Sequence, residues 1–269
     1  MKVKPIFLFV TLSLLVSCAS TTQFKSLETR QNVKQGFLLL KQENQKPVAS
    51  VILFAGGHGN LDLSGTNMAW GKGNFLVRTR EDFLHQGFMV AVVDSPSDKK
   101  TESGMYRGFR HSEEHAIDIK AVIEEMRRMA DVPVWLIGTS GGSASVANIA
   151  SRLPPLAGPD GVVFTSSVEH NYSDRANSVF NAPLERIKVP ALVVHNKDDA
   201  CPSCPYSGAV KFERALSSSR NKKLVAIEGG SHPRGNVCGA RHYHGYIGKE
   251  KEVVKIISDW IKVNSKEEM

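Results

Sequence analysis

A serine flanked by glycines follows a short apolar run near the middle of the chain. Residues 134–137 read Val-Trp-Leu-Ile, and residues 138–142 read Gly-Thr-Ser-Gly-Gly. Apolar residues then return at near-helical spacing, at Val146 and Ile149, so the segment predicts a strand, an abrupt turn and a helix. A serine hydroxyl becomes a useful nucleophile only when it is exposed beside a base, and such a turn would expose Ser140. The string alone also fits an ordinary strand–helix loop.

An earlier loop offers backbone amides to an anion. Residues 48–54 read as a strand, and the next five residues are Ala-Gly-Gly-His-Gly. Amides in such a loop can turn inward without obstruction by side chains. Together with the amide of Gly141, the amide of Gly57 or His58 would hold the negative oxygen of a tetrahedral intermediate. A plain glycine-rich turn is the alternative for this loop.

A later loop offers a carboxylate. Asp198 and Asp199 follow a predicted strand at 191–195 and precede Pro202. An acid here would orient a basic histidine and stabilise its charged form. Counting from the end of the strand favours Asp199, which we prefer, whereas counting back from Pro202 favours Asp198. Paired aspartates in a loop are otherwise ordinary turn formers.

Two histidines after the last predicted strand are candidates for the base. His232 lies close to the strand end, and His244 leads directly into the closing helix. The insertion between them contains Cys238. We favour His244, because a loop pinned at Cys238 would fix His244 better than a free loop would fix His232. The other histidine would then be a surface residue.

The elements that must position these residues alternate in type along the chain. Continuous apolar strands alternating with helices predict a parallel sheet that is buried on both faces. The loops that follow such strands meet at one edge of the sheet, where a site would form. The predicted strands span 36–40, 48–54, 88–94, 134–137, 162–165, 191–195 and 224–227, and the predicted helices span 79–86, 111–129, the segment after Ser140, 207–216 and 250–263.

The N-terminus predicts export. Lys2 and Lys4 precede an apolar stretch at 6–15 that is too short to span a bilayer, and Leu-Val-Ser-Cys at 15–18 resembles a bacterial lipobox. We therefore assign 1–17 to a lipoprotein-type signal peptide, 18–34 to a polar tether and 35–269 to a single folded domain. Cys18 would carry the lipid, unless the segment is a plain signal peptide.

The composition narrows location and partners. Ala19 replaces the Asp that retains many lipoproteins at the inner membrane, so a periplasm-facing attachment to the outer membrane is favoured. The chain of 269 residues has a net charge of +7, and removing Lys2 and Lys4 leaves an excess of five basic residues. These are scattered rather than interleaved with aromatics, which argues against a nucleic-acid partner.

Six short stretches of the sequence lie at 74–78, 93–98, 109–112, 138–140, 165–167 and 244–248. They resemble small exported bacterial members of the alpha/beta hydrolase superfamily, and the resemblance runs over about residues 48–261. The nucleophile, acid and histidine also come in the order that this superfamily uses. The resemblance implies a three-layer alpha/beta hydrolase fold: a mostly parallel central sheet, of the eight-stranded type, with helices on both faces. It also implies a Ser-Asp-His triad with His244 as the base. Gly141 departs from the pattern, which often has a larger residue there.

The expected function is hydrolysis of small or medium carboxylic esters by Ser140, Asp199 and His244, through an acyl-enzyme and without a cofactor. The protein is expected to be a monomer. Its expected partners are the small-molecule ester substrate and the membrane, which it would contact through the lipid on Cys18. An envelope lipoprotein that uses a hydrolase scaffold only for binding is the alternative. If the triad assembles, the acid and histidine loops must approach each other, so we predict a disulfide between Cys201 and Cys238.

Metal and redox chemistry are the remaining alternatives. His111, Glu114 and His115 match the H-x-x-E-H string of some zinc peptidases, but their helix also has the apolar face of a helix packed on a sheet. Cys201 and Cys204 have the spacing of a redox motif without its surrounding pattern. A zinc site is a further possibility for the set Cys201, Cys204, Cys238 and His242. We therefore expect no metal, and the role of Cys204 stays open.

Overall fold

The computed structural model describes residues 19–101, 103–171 and 178–266. The predicted signal peptide and Cys18 lie outside this range. The strands are β1 Ser20–Arg30, β2 Val33–Gln42, β3 Ser50–Phe54, β4 Leu63–Ser64, β5 Asn67–Met68, β6 Met89–Val93, β7 Val134–Thr139, β8 Gly161–Thr165, β9 Ala191–Asn196 and β10 Lys222–Ile227. The helices are α1 Phe75–Arg78, α2 Arg80–His85, α3 Glu113–Met129, α4 Gly141–Arg152, α5 Tyr206–Ala215 and α6 Glu250–Lys266. Short 3-10 turns lie at Ser97–Lys99, Phe109–His111, Val179–Asn181, Leu184–Arg186 and Tyr243–Gly245.

Eight strands form one sheet in the order β1-β2-β6-β3-β7-β8-β9-β10, and β4 and β5 form a separate small hairpin. β2 is antiparallel to both of its neighbours, and all strands from β6 to β10 are parallel to one another. Parallel strands need crossover connections, which the helices supply. This arrangement confirms the predicted mostly parallel sheet.

The sheet divides the apolar interior into two cores because successive side chains of a strand point to opposite faces. On one face, Phe37 and Leu39 of β2 pack in a core that also takes residues of α3, α4 and α5. On the other face, Leu38 and Leu40 share a core with residues of α1, α2 and α6. Helices therefore cover both faces, which confirms the three-layer class.

The predicted tether at 18–34 requires a correction. Residues 20–30 form β1, which pairs with β2 from Ser20 opposite Gln42 to Arg30 opposite Val33. The segment contains few apolar residues, but it is an edge strand that backbone hydrogen bonds hold to β2. Polar contacts with α3 complete its attachment: the guanidinium of Arg30 donates to both carboxylate oxygens of Asp118 at 2.9 Å.

The helix that follows β6 begins later than the predicted residue 111. The side chain of Ser112 accepts a hydrogen bond from the amide of His115 at 3.1 Å and caps α3, which starts at Glu113. Over the ranges described here, no helix combines the length and the apolar character needed to cross a bilayer.

The parallel strands bring the candidate loops to one edge of the sheet. Ser140 follows β7, the glycine-rich loop follows β3 beside it, and Asp199 follows β9. The histidine loop follows β10 at the far side. The loops that carry the four predicted chemical groups therefore begin at carboxyl ends of strands within the same sheet.

Candidate active site

Ser140 occupies a strained turn between β7 and α4. Its backbone has φ +52° and ψ −126°, a conformation that few residues other than glycine adopt. The Ser140 amide donates to the carbonyl of Thr165 at 3.0 Å, and its carbonyl accepts from the hydroxyl of Ser143 at 2.5 Å. A Cβ at Gly56 would lie only 2.8 Å from the Ser140 Cβ, so glycine is required where the β3 loop passes this turn. The geometry is that of a nucleophile elbow.

His244 and Asp199 form a buried pair. The distance between His244 Nδ1 and Asp199 Oδ2 is 2.8 Å, and the side chain of Asp199 is fully buried. The other carboxylate oxygen, Oδ1, accepts from the amide of Cys201 at 2.9 Å. With both oxygens engaged, the carboxylate fixes the orientation of the imidazole. A proton on Nδ1 then leaves Nε2 as the acceptor.

Hydrogen bonds join the turn that carries His244 to β8, the strand next to the candidate nucleophile. The hydroxyl of Ser166, directly after β8, donates to the carbonyl of His244 at 2.8 Å. The Tyr246 hydroxyl donates to the carbonyl of Val194 at 2.7 Å and accepts from the amide of Ser166 at 3.0 Å. Since Ser166 follows directly on Thr165, whose carbonyl accepts from the amide of Ser140, the segments of the candidate base and the candidate nucleophile are bound to adjacent residues.

The structure separates the histidine and aspartate alternatives. His232 is exposed, whereas His244 is the histidine bonded to Asp199. Asp198 is exposed as well, and its carboxylate accepts from the amide of Gly229 at 2.7 Å. Asp198 thus joins the β9 and β10 loops rather than orienting the candidate base.

The predicted disulfide between Cys201 and Cys238 is confirmed. It joins the loop that contains Asp199 to the insertion that precedes His244. Cys204 is a free and buried cysteine, and burial raises the pKa of its thiol well above the usual value. A buried, protonated thiol is a poor nucleophile, which does not favour a redox role for Cys204.

The glycine-rich loop lies against the start of α4. A Cβ built at Gly141 would be 3.2 Å from the carbonyl oxygen and 3.6 Å from the amide nitrogen of Gly57. Gly141 therefore permits the close approach of the two segments whose amides were predicted to bind an oxyanion. The carbonyl of His58 accepts from the amide of Met105 at 2.8 Å, and its ring packs on Trp70 with centroids 3.9 Å apart.

A second carboxyl group, which the sequence did not indicate, lies behind Asp199. Glu169 is buried, and neither of its carboxyl oxygens has a hydrogen-bond partner among the described residues. Burial raises the pKa of Glu169 to about 9, and the nearby charge of Asp199 adds to the shift. His195 lies between them, with Nδ1 3.9 Å from Glu169 and Nε2 3.6 Å from Asp199. Glu169 is thus a neutral acid at neutral pH.

Two further residues of this region were not predicted from the sequence to be functional. Tyr246 and Arg110 both lie within stretches that carried the family resemblance, at 244–248 and 109–112. Arg110 is a large side chain that is only 1% exposed. A buried arginine is rare enough to indicate a specific role.

The two sets of candidate metal ligands differ in whether their side chains lie close together. His115 is buried between Phe54 and Phe109, whereas Glu114 is exposed, so the H-x-x-E-H residues do not converge. Burial also lowers the pKa of His111 to about 4. Ligand atoms of Cys201, Cys204 and His244 do lie within 4.8 Å of one another. The sulfur of Cys201 is already committed to its disulfide, so this set offers fewer donors than a structural zinc site uses.

Comparison with solved structures places this architecture in a known class. The chain has the alpha/beta hydrolase fold. It is similar to a cold-adapted esterase from an Arctic intertidal metagenomic library, with 11% identity, 91% of this chain and 94% of the other covered, and a TM-score of 0.63. It is also similar to an esterase of Pyrococcus furiosus, with 14% identity, 96% of this chain and 98% of the other covered, and a TM-score of 0.63. A third similar structure is the dienelactone hydrolase of Anabaena variabilis ATCC 29413, with 16% identity, 90% of this chain and 97% of the other covered, and a TM-score of 0.58. No protein-family model and no curated protein matches the sequence.

Proposed function

We propose that this protein is a serine hydrolase that cleaves small or medium carboxylic esters. The observation that carries the proposal is the buried hydrogen bond between His244 and Asp199. The candidate nucleophile Ser140 lies in a strained strand-to-helix turn, and its amide binds Thr165, next to the Ser166 that binds the carbonyl of His244. Esterases and a dienelactone hydrolase among the similar structures support hydrolysis of a carbonyl compound.

The proposed reaction follows from the roles of these groups. Ser140 Oγ attacks the ester carbonyl while Nε2 of His244 accepts its proton, and Asp199 stabilises the resulting imidazolium. The oxygen of the tetrahedral intermediate takes the negative charge and is bound by amides of Gly141 and the Gly57–His58 turn. Collapse of the intermediate releases the alcohol, which takes the proton from His244. Water then repeats the sequence on the acyl-enzyme, releasing the acid and restoring Ser140.

Trp70 supports the proposed preference for small or medium esters. A Cβ at Gly57 would lie 2.9 Å from the indole of Trp70, so this ring covers the turn that is proposed to bind the oxyanion. A large side chain at this position restricts the room beside the reacting carbonyl. Trp70 is itself 39% exposed, so the restricted region opens to solvent rather than into the core.

A fluorophosphonate probe tests the serine assignment directly. We expect covalent labelling of the wild-type protein at Ser140 and none of Ser140→Ala, with turnover of a nitrophenyl ester lost in parallel. Labelling that persists in Ser140→Ala would refute the assignment. Folded wild-type protein that is neither labelled nor active across an ester panel would favour the binding lipoprotein instead.

We propose, in addition, that the enzyme is anchored by a lipid on Cys18, with the site facing away from the membrane. β1 begins at Ser20, and the carbonyl of Ala19 accepts from the amide of Glu43 at 2.8 Å, which leaves no free tether after Cys18. β1 runs parallel to β7, so its N-terminal end lies at the edge opposite Ser140. Its 11 residues span about 36 Å.

Cys18→Ser tests the anchor. We expect wild-type protein to incorporate a fatty-acid label and to fractionate with the outer membrane, and Cys18→Ser to lose the label while an exported form keeps its esterase activity. An unlabelled wild-type protein would refute the anchor without affecting the proposed reaction.

A further inference from the structure

Arg110 is a buried cation beside the glycine-rich loop at residues 55–59, which is called the oxyanion loop from here on. It comes from the 3-10 turn Phe109–His111, and only 1% of its surface is exposed. Among the described residues, no carboxylate forms an ion pair with it. Burial lowers the pKa of Arg110 to about 10, so the side chain still carries its charge at neutral pH. A buried charge without an opposite partner is costly, which makes its contacts informative.

The contacts of Arg110 converge on the oxyanion loop and the first turns of α4. One terminal nitrogen, Nη2, donates to the carbonyls of Ala55 at 3.0 Å and Gly57 at 3.1 Å. The other, Nη1, donates to the hydroxyl of Ser145 in α4 at 2.8 Å. The guanidinium therefore bridges the loop after β3 and the helix that begins beside Ser140.

These two carbonyl contacts fix the orientation of loop amides. A peptide unit is planar, so holding the carbonyl of Gly57 also fixes the direction of the His58 N–H, and holding Ala55 fixes that of Gly56. The amide of Gly57 lies between these two peptide units. Arg110 thus restrains the part of the loop in which the oxyanion donors are expected.

The remaining nitrogen of the fork faces the same region. Arg110 Nε is buried and has no hydrogen-bond partner among the described residues. It lies 3.6 Å from the position that a Cβ of Gly141 would occupy. The loop has made room for the guanidinium as well, since a Cβ at Gly59 would lie 2.6 Å from Nη2.

We propose that Arg110 is the positioning residue of the oxyanion hole: its fork holds the loop amides in the reactive orientation, and its charge lies close to where the oxyanion forms. This inference rests on the proposed serine hydrolase function. Fixed charges and dipoles in a buried site stabilise a transition state more than a ground state, because they need no reorganisation when charge develops.

Arg110→Met and Arg110→Lys test the proposal, with Arg127→Met as the matched control. Arg127 also donates to backbone carbonyls, of Leu156 and Gly158, but it lies in the last turn of α3. Its other partner, Asp160, binds the amide of Val134 at the start of β7, the end of that strand opposite Ser140. The measurements are kcat and KM for a nitrophenyl ester, the Kd of a boronic acid that becomes a tetrahedral anion on the serine, and the melting temperature.

We expect Arg110→Met to lower kcat about a hundredfold while KM changes less than about threefold, and to weaken the boronic acid about as much as kcat falls. Arg110→Lys restores the charge but not the fork, so it should recover part of the loss. The control should keep the wild-type kcat. A folded Arg110→Met with wild-type kcat would overturn the proposal.

A loss confined to stability would overturn it as well, and if Arg110→Met does not fold, Arg110→Lys decides. A folded Arg110→Lys with wild-type kcat and wild-type boronic acid affinity would refute the positioning role, whereas a lowered kcat at unchanged KM supports it. Fluorophosphonate labelling of wild-type Ser140 separates these results from failure of the proposed function. If the wild type is labelled while the variants remain fully active, only the role of Arg110 is refuted.

Discussion

The buried carboxyl group of Glu169 makes the stability of the protein depend on pH in a way that one substitution should remove. In the folded protein, burial raises the pKa of Glu169 from an ordinary 4.5 to about 9. Between these values the folded state holds a proton that the unfolded state has released. Because the unfolded state binds fewer protons, stability falls as the pH rises through this range, and Glu169→Gln abolishes the effect.

The size of the effect follows from the shift. Each pH unit between the two pKa values costs the wild type about 1.4 kcal/mol of unfolding free energy from this group. Between about pH 5.5 and about pH 8, the stability of Glu169→Gln relative to wild type should therefore rise by roughly 3.5 kcal/mol. The glutamine is close in shape, so the packing of the chain against Gly208 of α5 is retained.

Urea unfolding at a series of pH values, followed by circular dichroism with the disulfide intact, measures this difference. Glu185→Gln is the matched control, since it removes a carboxyl group from an exposed position and should give a difference that does not change with pH. A flat profile for Glu169→Gln would refute the reasoning. A difference that shrinks as pH rises would mean that folding favours the ionised form of Glu169.

Three further predictions concern the site. His244→Ala should lower kcat for a nitrophenyl ester by about 10⁴-fold or more, whereas His232→Ala should leave it unchanged, and the reverse pattern would reassign the base. Cys238→Ser, which breaks the bond to the acid loop, should lower the free energy of unfolding by about 2–4 kcal/mol in urea titrations, and equal stability would contradict this. Trp70→Ala should shift the optimum of a chain-length series of nitrophenyl esters toward longer acyl groups, and an unchanged optimum would refute the restriction.

The positions of the chemical groups were predictable because each follows the end of a strand. Apolar runs located β3, β7 and β9, and a parallel sheet brings the loops after such strands to one edge. The sequence therefore indicated Ser140 and Asp199 without three-dimensional information. The pairing of Cys201 with Cys238 followed from the same reasoning, since the loops that contain them had to meet.

Other features depend on contacts between segments that are distant in sequence, and no local pattern signals these. β1 looks like a polar tether, because what holds an edge strand in place is its backbone pairing and the ion pair from Arg30 to Asp118. Glu169 becomes a neutral acid because the fold buries its carboxyl group and brings the charge of Asp199 close to it. Likewise, the sequence around Arg110 does not reveal that its cation is buried without an acid.

The buried charges lie on opposite sides of the candidate nucleophile in the sheet order. Ser140 follows β7, Arg110 binds the loop after β3 on one side, and Asp199 follows β9 beyond the other side. Acyl transfer by serine creates an anion on the substrate oxygen and a cation on the histidine at the same moment. The cation of Arg110 lies at the loop that would receive the anion, and the carboxylate of Asp199 is hydrogen-bonded to His244. These two fixed charges match the two charges that would develop. The neutral state of Glu169 fits the same arrangement. A second buried negative charge next to Asp199 would be unfavourable, and Glu169 avoids it by keeping its proton.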